Sequence, residues 1–330
     1  MTQYLLGFDI GGTNARCALI QCDEQFKILV SQKHAIRSAQ SPQDLALLIR
    51  HVVTTIGAEH NVSPAQITGI GIAIAGQIAI DEHTIINAPN LDWHHVNFFD
   101  IIQKELADVA PNIQLRIAND LNAIAWGEYQ FGAAKSASSL LAVYVGTGIG
   151  AGLVMDRQLV LGADNVCGEI GHCKFPGAPD ALCGCGQRGC VEAYAGGKAI
   201  EYRILHDIQT GVISREALEL GPDEHPTARA IEKGCKNNLP YAVNFWKETS
   251  IALGALIANA IAILNPHALL LGGGVLLGCP TLLGLVIENI MEMAPKTATA
   301  NLQFIKPTLY DDAGTLGAAL LCLNSSRENA

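Results

Sequence analysis

The sequence is short of positive charge. It has 21 Lys and Arg residues against 31 Asp and Glu residues, a formal net charge of −10, and no run of basic residues. A protein that binds nucleic acid needs a basic face for the phosphates. The composition therefore argues against a nucleic-acid partner. It leaves a nucleotide ligand open, because backbone amides at glycine-rich turns hold phosphates without net positive charge.

Signals for export and for membrane insertion are also lacking. The first residues, MTQYLLGFDIGG, have neither the basic start nor the apolar run of a signal peptide. Residues 249–287 contain no Asp, Glu, Lys or Arg, but Asn265-Pro266 and a run of three glycines divide them. The resulting pieces are shorter than the ~20 residues that cross a bilayer. We therefore expect a cytoplasmic protein without a membrane segment.

Cysteine is plentiful, with ten residues, but the missing export signal disfavours a disulfide framework. Cys183, Cys185 and Cys190 follow His172 at intervals of 11, 2 and 5 residues on a glycine-rich stretch. Four such ligands suit tetrahedral zinc, and a shell made only of protein side chains is typical of a structural metal. Two alternatives stay open: a set of buried free thiols, or the substitution of Cys167 or Cys173 as a ligand.

No Gly-Lys-Ser/Thr string occurs, which excludes a P-loop. Instead, a strand, a glycine-rich turn and a second strand occur twice. The first copy comprises residues 4–9, 11–14 and 16–20, and the second comprises 140–145, 146–150 and 152–155. In a dinucleotide fold such a turn would open a helix rather than a strand. The repetition predicts a duplicated unit, one copy in each of two lobes, and 330 residues exceed one usual core.

Hydrophobic patterning predicts the remaining elements. Helices are expected over residues 42–57, 121–131, 198–215, 227–246, 250–264 and 314–323. Strands are expected over 67–75, 114–118 and 268–271, and a loop over 87–90. This alternation of strands and helices indicates α/β architecture.

Asp9 ends the first predicted strand, directly before the first glycine turn. A carboxylate there can hold the water shell of Mg²⁺ while turn amides hold phosphate oxygens. The alternative is an Asp that only caps the turn. Thr13 and Asn14 likewise either donate to phosphate or stabilise the turn.

Asn119-Asp120 lies where a predicted strand meets a helix, a usual place for ligand contacts in α/β folds. Asp120 is placed to accept the proton of a substrate hydroxyl during phosphoryl transfer. A plain helix N-cap is the alternative, and one residue can serve both purposes.

Glu169 and Glu192 flank the cysteine stretch, where they can accept hydrogen bonds from neighbouring sugar hydroxyls or remain solvated loop charges. Gly272-Gly273-Gly274 follows a predicted strand. Glycines there let a base or a phosphate approach the backbone closely. A turn that leads into a helix without a ligand is the alternative.

Together these residues resemble the ROK family of sugar kinases and repressors over nearly the whole chain. Asp9-Ile10-Gly11-Gly12-Thr13 and Gly146-Thr147-Gly148-Ile149-Gly150 are similar to its two phosphate motifs. Asn119-Asp120-x-Asn122-Ala123 is similar to its catalytic-base motif. Its zinc signature resembles Gly168-Glu169-x-Gly171-His172 followed by Cys183-Gly184-Cys185-Gly186-x-x-Gly189-Cys190-x-Glu192.

The resemblance implies a two-lobed actin-like ATPase (ribonuclease H-like) fold with a duplicated βββαβα unit. Residues 1–119 would form the smaller lobe, with a closing helix at about 312–325 packed back on it. Residues 120–311 would form the larger lobe, with the zinc loop and the adenosine site. The implied ligands are a hexose, ATP, Mg²⁺ and a structural Zn²⁺, and family members are often homodimers.

The resemblance also implies roles for individual residues, with Asp120 as the general base. The implied sugar contacts are Gly76, Asn90, Asn119, Asp120, Glu169, His172 and Glu192. The implied nucleotide contacts are Asp9, Gly11, Gly12, Thr13, Asn14, Gly146, Thr147, Gly148, Gly272, Gly273 and Gly274. The implied zinc ligands are His172, Cys183, Cys185 and Cys190. His172 would bind zinc through one ring nitrogen and donate to the sugar through the other.

Three departures from the family pattern lie near the expected sugar pocket. Ala75-Gly76 stands where Pro-Gly is common, Asp92 replaces a common Gly before Trp93, and the interval from His172 to Cys183 is a residue longer than usual. The preferred sugar therefore stays open between glucose, phosphorylated to glucose 6-phosphate, and an N-acetylhexosamine such as N-acetylglucosamine or N-acetylmannosamine.

A sugar-sensing repressor without kinase activity is the third hypothesis. Family repressors carry an added N-terminal DNA-binding domain, whereas the first phosphate motif here begins at Asp9 and leaves no room for a helix-turn-helix. Asp120 is also present. We therefore expect a kinase.

Overall fold

The computed structural model describes residues 3–23, 26–36 and 41–323. Its strands are β1 (Gln3–Ile10), β2 (Asn14–Cys22), β3 (Phe26–Ala35), β4 (Ile67–Ile74), β5 (Gln77–Ile78), β6 (Thr84–Ala88), β7 (Trp93–Asn97), β8 (Gln114–Asn119), β9 (Leu140–Val145), β10 (Ile149–Met155), β11 (Gln158–Leu159), β12 (Ala268–Gly272) and β13 (Gln303–Ile305). Its helices are α1 (Pro42–Thr55), α2 (Phe98–Leu106), α3 (Asp120–Gln130), α4 (Glu192–Ala195), α5 (Gly197–Gln209), α6 (Ala228–Lys236), α7 (Pro240–Leu264), α8 (Gly274–Gly278), α9 (Pro280–Met293), α10 (Lys296–Thr299) and α11 (Ala313–Leu321).

The first sheet has the strand order β3-β2-β1-β4-β8. β1 is antiparallel to β2 and parallel to β4, and β4 is parallel to β8. Because these three strands run the same way, their carboxyl ends meet at one edge, where Ile10 lies opposite Ile74 and Ile74 opposite Asn119. Asp9, the turn after β4 and Asp120 therefore come to the same edge of the sheet.

The second sheet repeats this order as β11-β10-β9-β12-β13. Its central strand β9 is parallel to β12, and β12 is parallel to β13. Each glycine-rich turn thus connects a central strand to the neighbouring hairpin strand. The predicted duplication of the strand–turn–strand unit is confirmed, and each copy carries further strands that the sequence patterns did not predict.

A third, antiparallel sheet of β5, β6 and β7 includes part of the predicted loop 87–90. That part of the prediction was wrong. Asn87 and Ala88 belong to β6, where they pair with His94 and Trp93, and the turn begins only at Pro89. The turn residues Pro89 and Asn90 dominated the local pattern, whereas the pairing that makes this strand comes from the partner strand β7.

The helix predicted over residues 227–246 is two helices. α6 ends at Lys236, Asn238 adopts a left-handed backbone with φ of 56°, and Pro240 opens α7. Proline is favoured at the first helical position because its missing N–H would have no helical partner there. α7 then continues through the predicted helix 250–264 as one segment of 25 residues. The helix predicted to end at residue 215 stops at Gln209, before Gly211 with φ of 77°.

Among the described residues, α7 is long and apolar enough to cross a bilayer by length and composition. Half of its most apolar window is buried inside the protein. This is weak evidence for a membrane span, because the core helix of a globular protein passes the same test. The predicted helix and strand boundaries had divided this segment into shorter pieces.

Contacts group the chain into two compact units. The first comprises the described residues within Met1–Ala137, Gly152–Gly168 and Pro307–Ala330, and the second comprises Ser138–Ala151 and Glu169–Lys306. α3 belongs with the first unit, since it packs on α11 and β8. The lobe boundary predicted after residue 119 stays a prediction.

The closing helix α11 packs on β1, β4 and α3 of the first unit through glycines. A Cβ on Gly7 would lie 1.8 Å from the carbonyl oxygen of Thr315, and a Cβ on Gly317 would lie 1.7 Å from that of Ala123. Only glycine permits so close an approach of two backbones. Residues 324 and 325 of the predicted closing helix lie outside the described residues.

A buried carboxylate attaches the segment before α11 to the end of α3. The carboxylate of Glu128 is fully buried and accepts hydrogen bonds from the amides of Ala133, Thr308 and Leu309 at 3.0, 2.9 and 2.8 Å. The hydroxyl of Thr308 donates to it as well, at 3.2 Å. Four donors thus satisfy a group that would otherwise be costly to bury.

We predict that Glu128→Gln destabilises the protein by about 2–4 kcal/mol. The glutamine replaces one acceptor oxygen by an NH₂ group, so the donors that bonded to that oxygen lose their acceptor and face another donor. Chemical denaturation followed by circular dichroism measures this loss. The matched control is Glu59→Gln, an exposed glutamate of the same unit, for which a change within about 0.5 kcal/mol is expected. Equal stability of the two variants would contradict the role assigned to Glu128.

Candidate active site and metal centre

Asn119 organises the acidic edge of the first sheet, which is the edge where Asp9 and Asp120 lie. Its side-chain oxygen accepts from the amides of Leu121 and Asn122 at 2.9 and 3.2 Å, which makes Asn119 the N-cap of α3. Its side-chain nitrogen donates to the carbonyl of Gly76 at 3.0 Å. The N-cap considered as the alternative role of Asp120 therefore belongs to its neighbour. Asp120 is the first helical residue, and its carboxylate accepts from the amide of Leu121 at 2.9 Å.

Asp9 lies in a partly buried and acidic position. Burial, the charge of Asp120 and the charge of Asp311 raise its pKa to about 7, against the lowering effect of Arg16. A Cβ on Gly314 would lie 2.6 Å from a carboxylate oxygen of Asp9, so α11 also approaches this group closely. A partly buried carboxylate with a strongly raised pKa beside a second acid is typical of a functional site. Carboxylate oxygens of this kind fit Mg²⁺, whose charge would offset their burial and mutual repulsion.

Two charged neighbours of Asp9 were not among the predicted site residues. Arg16 faces Asp9 across the hairpin of β1 and β2, and it donates to Asp311 at 2.6 Å. The sequence could have indicated Arg16, because Asp9 and Arg16 are equally far from the glycine-rich turn and therefore pair in the hairpin. No sequence signal could have found Asp311, which comes from the far end of the chain.

The first glycine turn contacts a predicted sugar position. The amide of Gly11 donates to the carbonyl of Asn14 at 3.0 Å, and the side chain of Asn14 donates to the Thr13 hydroxyl at 2.9 Å. A Cβ on Gly12 would lie 3.0 Å from the Cβ of Asn90. The two predicted sets of contacts, with phosphate and with sugar, thus adjoin each other within this unit.

Two positions near Asn90 have special backbone requirements. Asp92 adopts a left-handed conformation with φ of 57°, which glycine also adopts readily. Gly76 keeps its requirement for glycine, since a Cβ there would lie 2.5 Å from the carbonyl of Asn87. Asp92 thus occupies a conformation that suits glycine, and Gly76 leaves no room for a side chain.

The second glycine turn is held by Glu192. The carboxylate of Glu192 accepts from the amide of Ile149 at 2.8 Å, and a Cβ on Gly148 would lie 2.4 Å from the same oxygen. The carbonyls of Gly146 and Thr147 accept from the amides of Gly197 and Lys198, at the start of α5. A residue predicted to contact the sugar is thereby placed directly against a predicted phosphate turn.

The three consecutive glycines at the end of β12 serve different purposes. A Cβ on Gly272 would meet the ring of Tyr144 at 2.4 Å, and Gly273 has φ of 90° with the Val145 carbonyl 2.4 Å from its Cβ position. Both therefore permit packing on β9. Gly274 instead lines an open cleft of about 230 Å³ within the second unit. The other lining residues are Gly197, Glu201, Thr227, Ala228, Arg229, Val275 and Cys279. No motif marks Glu201, Thr227 or Arg229, so sequence reasoning missed them.

The four predicted zinc ligands converge. The ligand atoms of His172, Cys183, Cys185 and Cys190 all lie within 4.8 Å of one another. His172 Nδ1 is 3.6 Å from Cys183 Sγ, and the sulfurs of Cys185 and Cys190 are 3.8 Å apart. Tetrahedral zinc with ordinary bond lengths requires about 3.6 Å for a nitrogen–sulfur pair and about 3.8 Å for a sulfur pair. The cluster fits zinc and does not include Cys167 or Cys173.

Glycines and backbone hydrogen bonds shape the metal loop. Gly186 and Gly189 have φ of 84° and 76°, and the amide of Cys183 donates to the carbonyl of Gln187 at 2.8 Å. All ten cysteines are free. A disulfide framework therefore has no support within the described chain.

His172 turns its other ring nitrogen toward Glu169. With Nδ1 beside the sulfurs, Nε2 lies 3.6 Å from a carboxylate oxygen of Glu169. The pKa of Glu169 is raised above its usual value, mainly by burial. The neighbouring His172 lowers this pKa, and the charge of Glu192 raises it further. A metal on Nδ1 would leave the proton on Nε2, where it can be donated. This arrangement fits the double use predicted for His172.

Comparison with known proteins identifies the family of this chain. The model of the ROK family matches residues 5–325 of this chain. The chain belongs to the ROK family.

Members of the ROK family with different activities are similar to it. A glucokinase of Streptomyces coelicolor is 31% identical over 274 residues, which cover 82% of this chain and 81% of that protein. A xylose repressor of Bacillus subtilis is 28% identical over 327 residues, which cover 97% of this chain and 77% of the repressor. Family membership alone therefore does not separate kinase from repressor.

The fold agrees with that of a solved ROK family member. The structure of a ROK family glucokinase from Streptomyces griseus, in complex with glucose and AMPPNP, has a TM-score of 0.76 and 27% identity. The match covers 96% of this chain and 98% of the other. The predicted α/β class and the two-lobed actin-like fold are confirmed.

The raised pKa of Asp9 can be tested through the pH dependence of stability of the ligand-free protein. A carboxyl whose pKa is higher in the folded state stabilises the fold at low pH, and this contribution is lost as the pH rises from about 4 through 7. A shift of about 3 units corresponds to at most about 4 kcal/mol. We predict that Asp9→Asn is more stable than the parent protein at pH 8 by about 1–3 kcal/mol, an advantage that vanishes near pH 4.

Denaturation at pH 4, 6 and 8 in the absence of nucleotide and Mg²⁺ measures this difference. Asp164→Asn, at an exposed position of the same unit, is the control and should change stability by less than about 0.5 kcal/mol. An Asp9→Asn protein that is less stable than the parent at pH 8 would refute the view that this carboxylate is costly to the fold.

Proposed function

We propose that this ROK family protein is an ATP-dependent sugar kinase that phosphorylates a hexose, with glucose as the first candidate and glucose 6-phosphate as its product. The placement of Asp120 carries the proposal. Asn119 caps α3, so the carboxylate of Asp120 is not required as the N-cap and stands at the acidic edge beside Asp9. The likeness to the Streptomyces coelicolor glucokinase supports the same activity.

The role proposed for Asp120 is that of a general base. The hydroxyl oxygen of the hexose attacks the γ-phosphorus of ATP, the bond to the β–γ bridging oxygen breaks, and ADP leaves. The hydroxyl proton passes to the Asp120 carboxylate. The position of the carboxylate at the start of α3 favours this role, because the helix capping that orients the first turn is supplied by Asn119.

The nucleotide is proposed to bind through backbone groups. Amides of the turn Gly11-Gly12-Thr13-Asn14 and of Gly146-Thr147-Gly148 would hold phosphate oxygens, which needs no basic cluster. The cleft beside Gly274 has a size and a mixed polar and apolar lining suited to the adenosine. Asp9 would hold Mg²⁺, which supplies charge neutralisation for the transferred phosphoryl group.

The hexose is proposed to bind through the acidic side chains and the metal loop. Glu169, His172 and Glu192 would accept or donate hydrogen bonds to hydroxyls, together with Gly76, Asn90 and Asn119. Zinc would act structurally, since its four positions are filled by protein ligands. Because Glu192 also contacts the turn amide of Ile149, sugar and nucleotide binding are expected to influence each other.

We predict that Asp120→Asn lowers kcat by about 10²–10⁴-fold, because the attacking hydroxyl loses its proton acceptor. The affinity for ATP and the midpoint of thermal unfolding should stay near those of the parent protein. Asp100→Asn is a matched control: Asp100 is also an acid in the first turn of a helix, α2, within the same unit. Retention of most of the activity by Asp120→Asn would rule out the general-base role.

A coupled assay of ADP release with glucose, mannose, fructose, N-acetylglucosamine and N-acetylmannosamine tests the substrate. We expect the highest kcat/KM for glucose. A higher value for an N-acetylated sugar would replace glucose as the substrate but keep the kinase. Absence of turnover with all five sugars, combined with sugar binding by calorimetry, would instead support the repressor-like binding protein.

A further inference from the structure

A positively charged side chain lies against a ligand sulfur of the metal cluster. The ammonium of Lys174, two residues after His172, donates to the sulfur of Cys190 at 3.4 Å. It also donates to the side-chain oxygen of Gln187 at 2.8 Å and to the carbonyl of Arg188 at 2.9 Å. The backbones of Lys174 and Cys190 pair as an isolated antiparallel bridge, which fixes the side chain beside the sulfur.

The contact between Lys174 and Cys190 offsets the net negative charge of a zinc site with these ligands. Three thiolates and a neutral imidazole around Zn²⁺ leave a formal charge of −1. Cys190 is fully buried and Cys183 nearly so, and excess charge in a buried site is costly unless it is paired. An ammonium that donates to a thiolate offsets this charge directly and makes a strong hydrogen bond.

The same side chain closes the loop that carries the ligands. Between Cys183 and Cys190, glycines such as Gly186 and Gly189 occupy left-handed conformations, so ordering this stretch has a high entropic cost. Through Gln187 and Arg188, Lys174 connects the segment that follows His172 to the turn that carries the cysteines. It therefore holds the two sides of the ligand set together.

We propose that Lys174 is a positioning residue of the metal site, which retains the zinc by donating to the Cys190 thiolate and neutralising the excess negative charge. Partners of this kind around metal ligands commonly alter metal affinity by about 10–100-fold. The contribution of Lys174 lies toward the lower end, because its side chain is exposed on its outer side.

The loop offers a matched control. Arg188 is a basic residue of the turn that carries the cysteines, and it donates across the loop to the carbonyl of Asp180 at 2.6 Å rather than to a ligand sulfur. Replacement of Arg188 removes a positive charge and a loop contact but leaves the donor to Cys190 in place. A comparison of the two variants therefore separates the thiolate contact from general closure of the loop.

The experiment measures zinc release without any turnover. Purified protein with its zinc content determined by mass spectrometry is mixed with excess 4-(2-pyridylazo)resorcinol, and the coloured zinc complex is followed with time. We expect Lys174→Met to release zinc about tenfold faster than the parent protein. Lys174→Arg, which keeps charge and donors, should stay within about threefold of the parent, and Arg188→Met within about twofold.

Circular dichroism before mixing establishes that each variant starts folded. Release from Lys174→Met at the parent rate would overturn the proposal, and so would equal acceleration in Arg188→Met, which would leave only loop closure. Parent protein purified without zinc would overturn the metal site and this inference together. The kinase activity is measured separately, so none of these outcomes depends on it.

Discussion

The parallel pairing of β1, β4 and β8 is the constraint on which the acidic group depends. Strands that run in one direction bring their carboxyl ends to one edge, and the backbone there is free to meet a ligand. Asp9, the turn at Gly76 and Asp120 are brought to this edge by three different stretches of chain. Asn119 then joins two of them, because one side chain caps α3 and donates to Gly76.

Placing two carboxylates at this edge has a cost for the fold. The partly buried Asp9 must lose water and approach Asp120, which is why its pKa is raised. Local instability of this kind is common where a site must accept a charged ligand. The rest of the unit compensates through well-satisfied contacts, of which the buried carboxylate of Glu128 with its four donors is the clearest.

The metal loop is organised by a different interaction. The stretch from His172 to Cys190 contains little regular structure beyond a short turn of helix and two isolated bridges. Convergence of one imidazole and three thiolates takes the place of a hydrophobic core there. Glu192 follows immediately and contacts both the metal cluster and the second glycine turn, since its carboxylate lies 3.7 Å from Cys183 Sγ and accepts from Ile149.

The sequence by itself determined the features that lie within short, continuous strings. The two hairpin turns, the strand–helix junction at Asn119-Asp120 and the spacing of His172, Cys183, Cys185 and Cys190 are local, so turn chemistry and ligand type suffice to predict them. Only the tertiary structure decided which of the two junction residues caps the helix, that Gly148 is glycine because of Glu192, and that Asp311 reaches Arg16. The last two facts join residues that are 44 and 295 positions apart. The first is a choice between two neighbours that both suit a cap. Such pairings depend on how strands and helices pack, and local propensity carries no information about them.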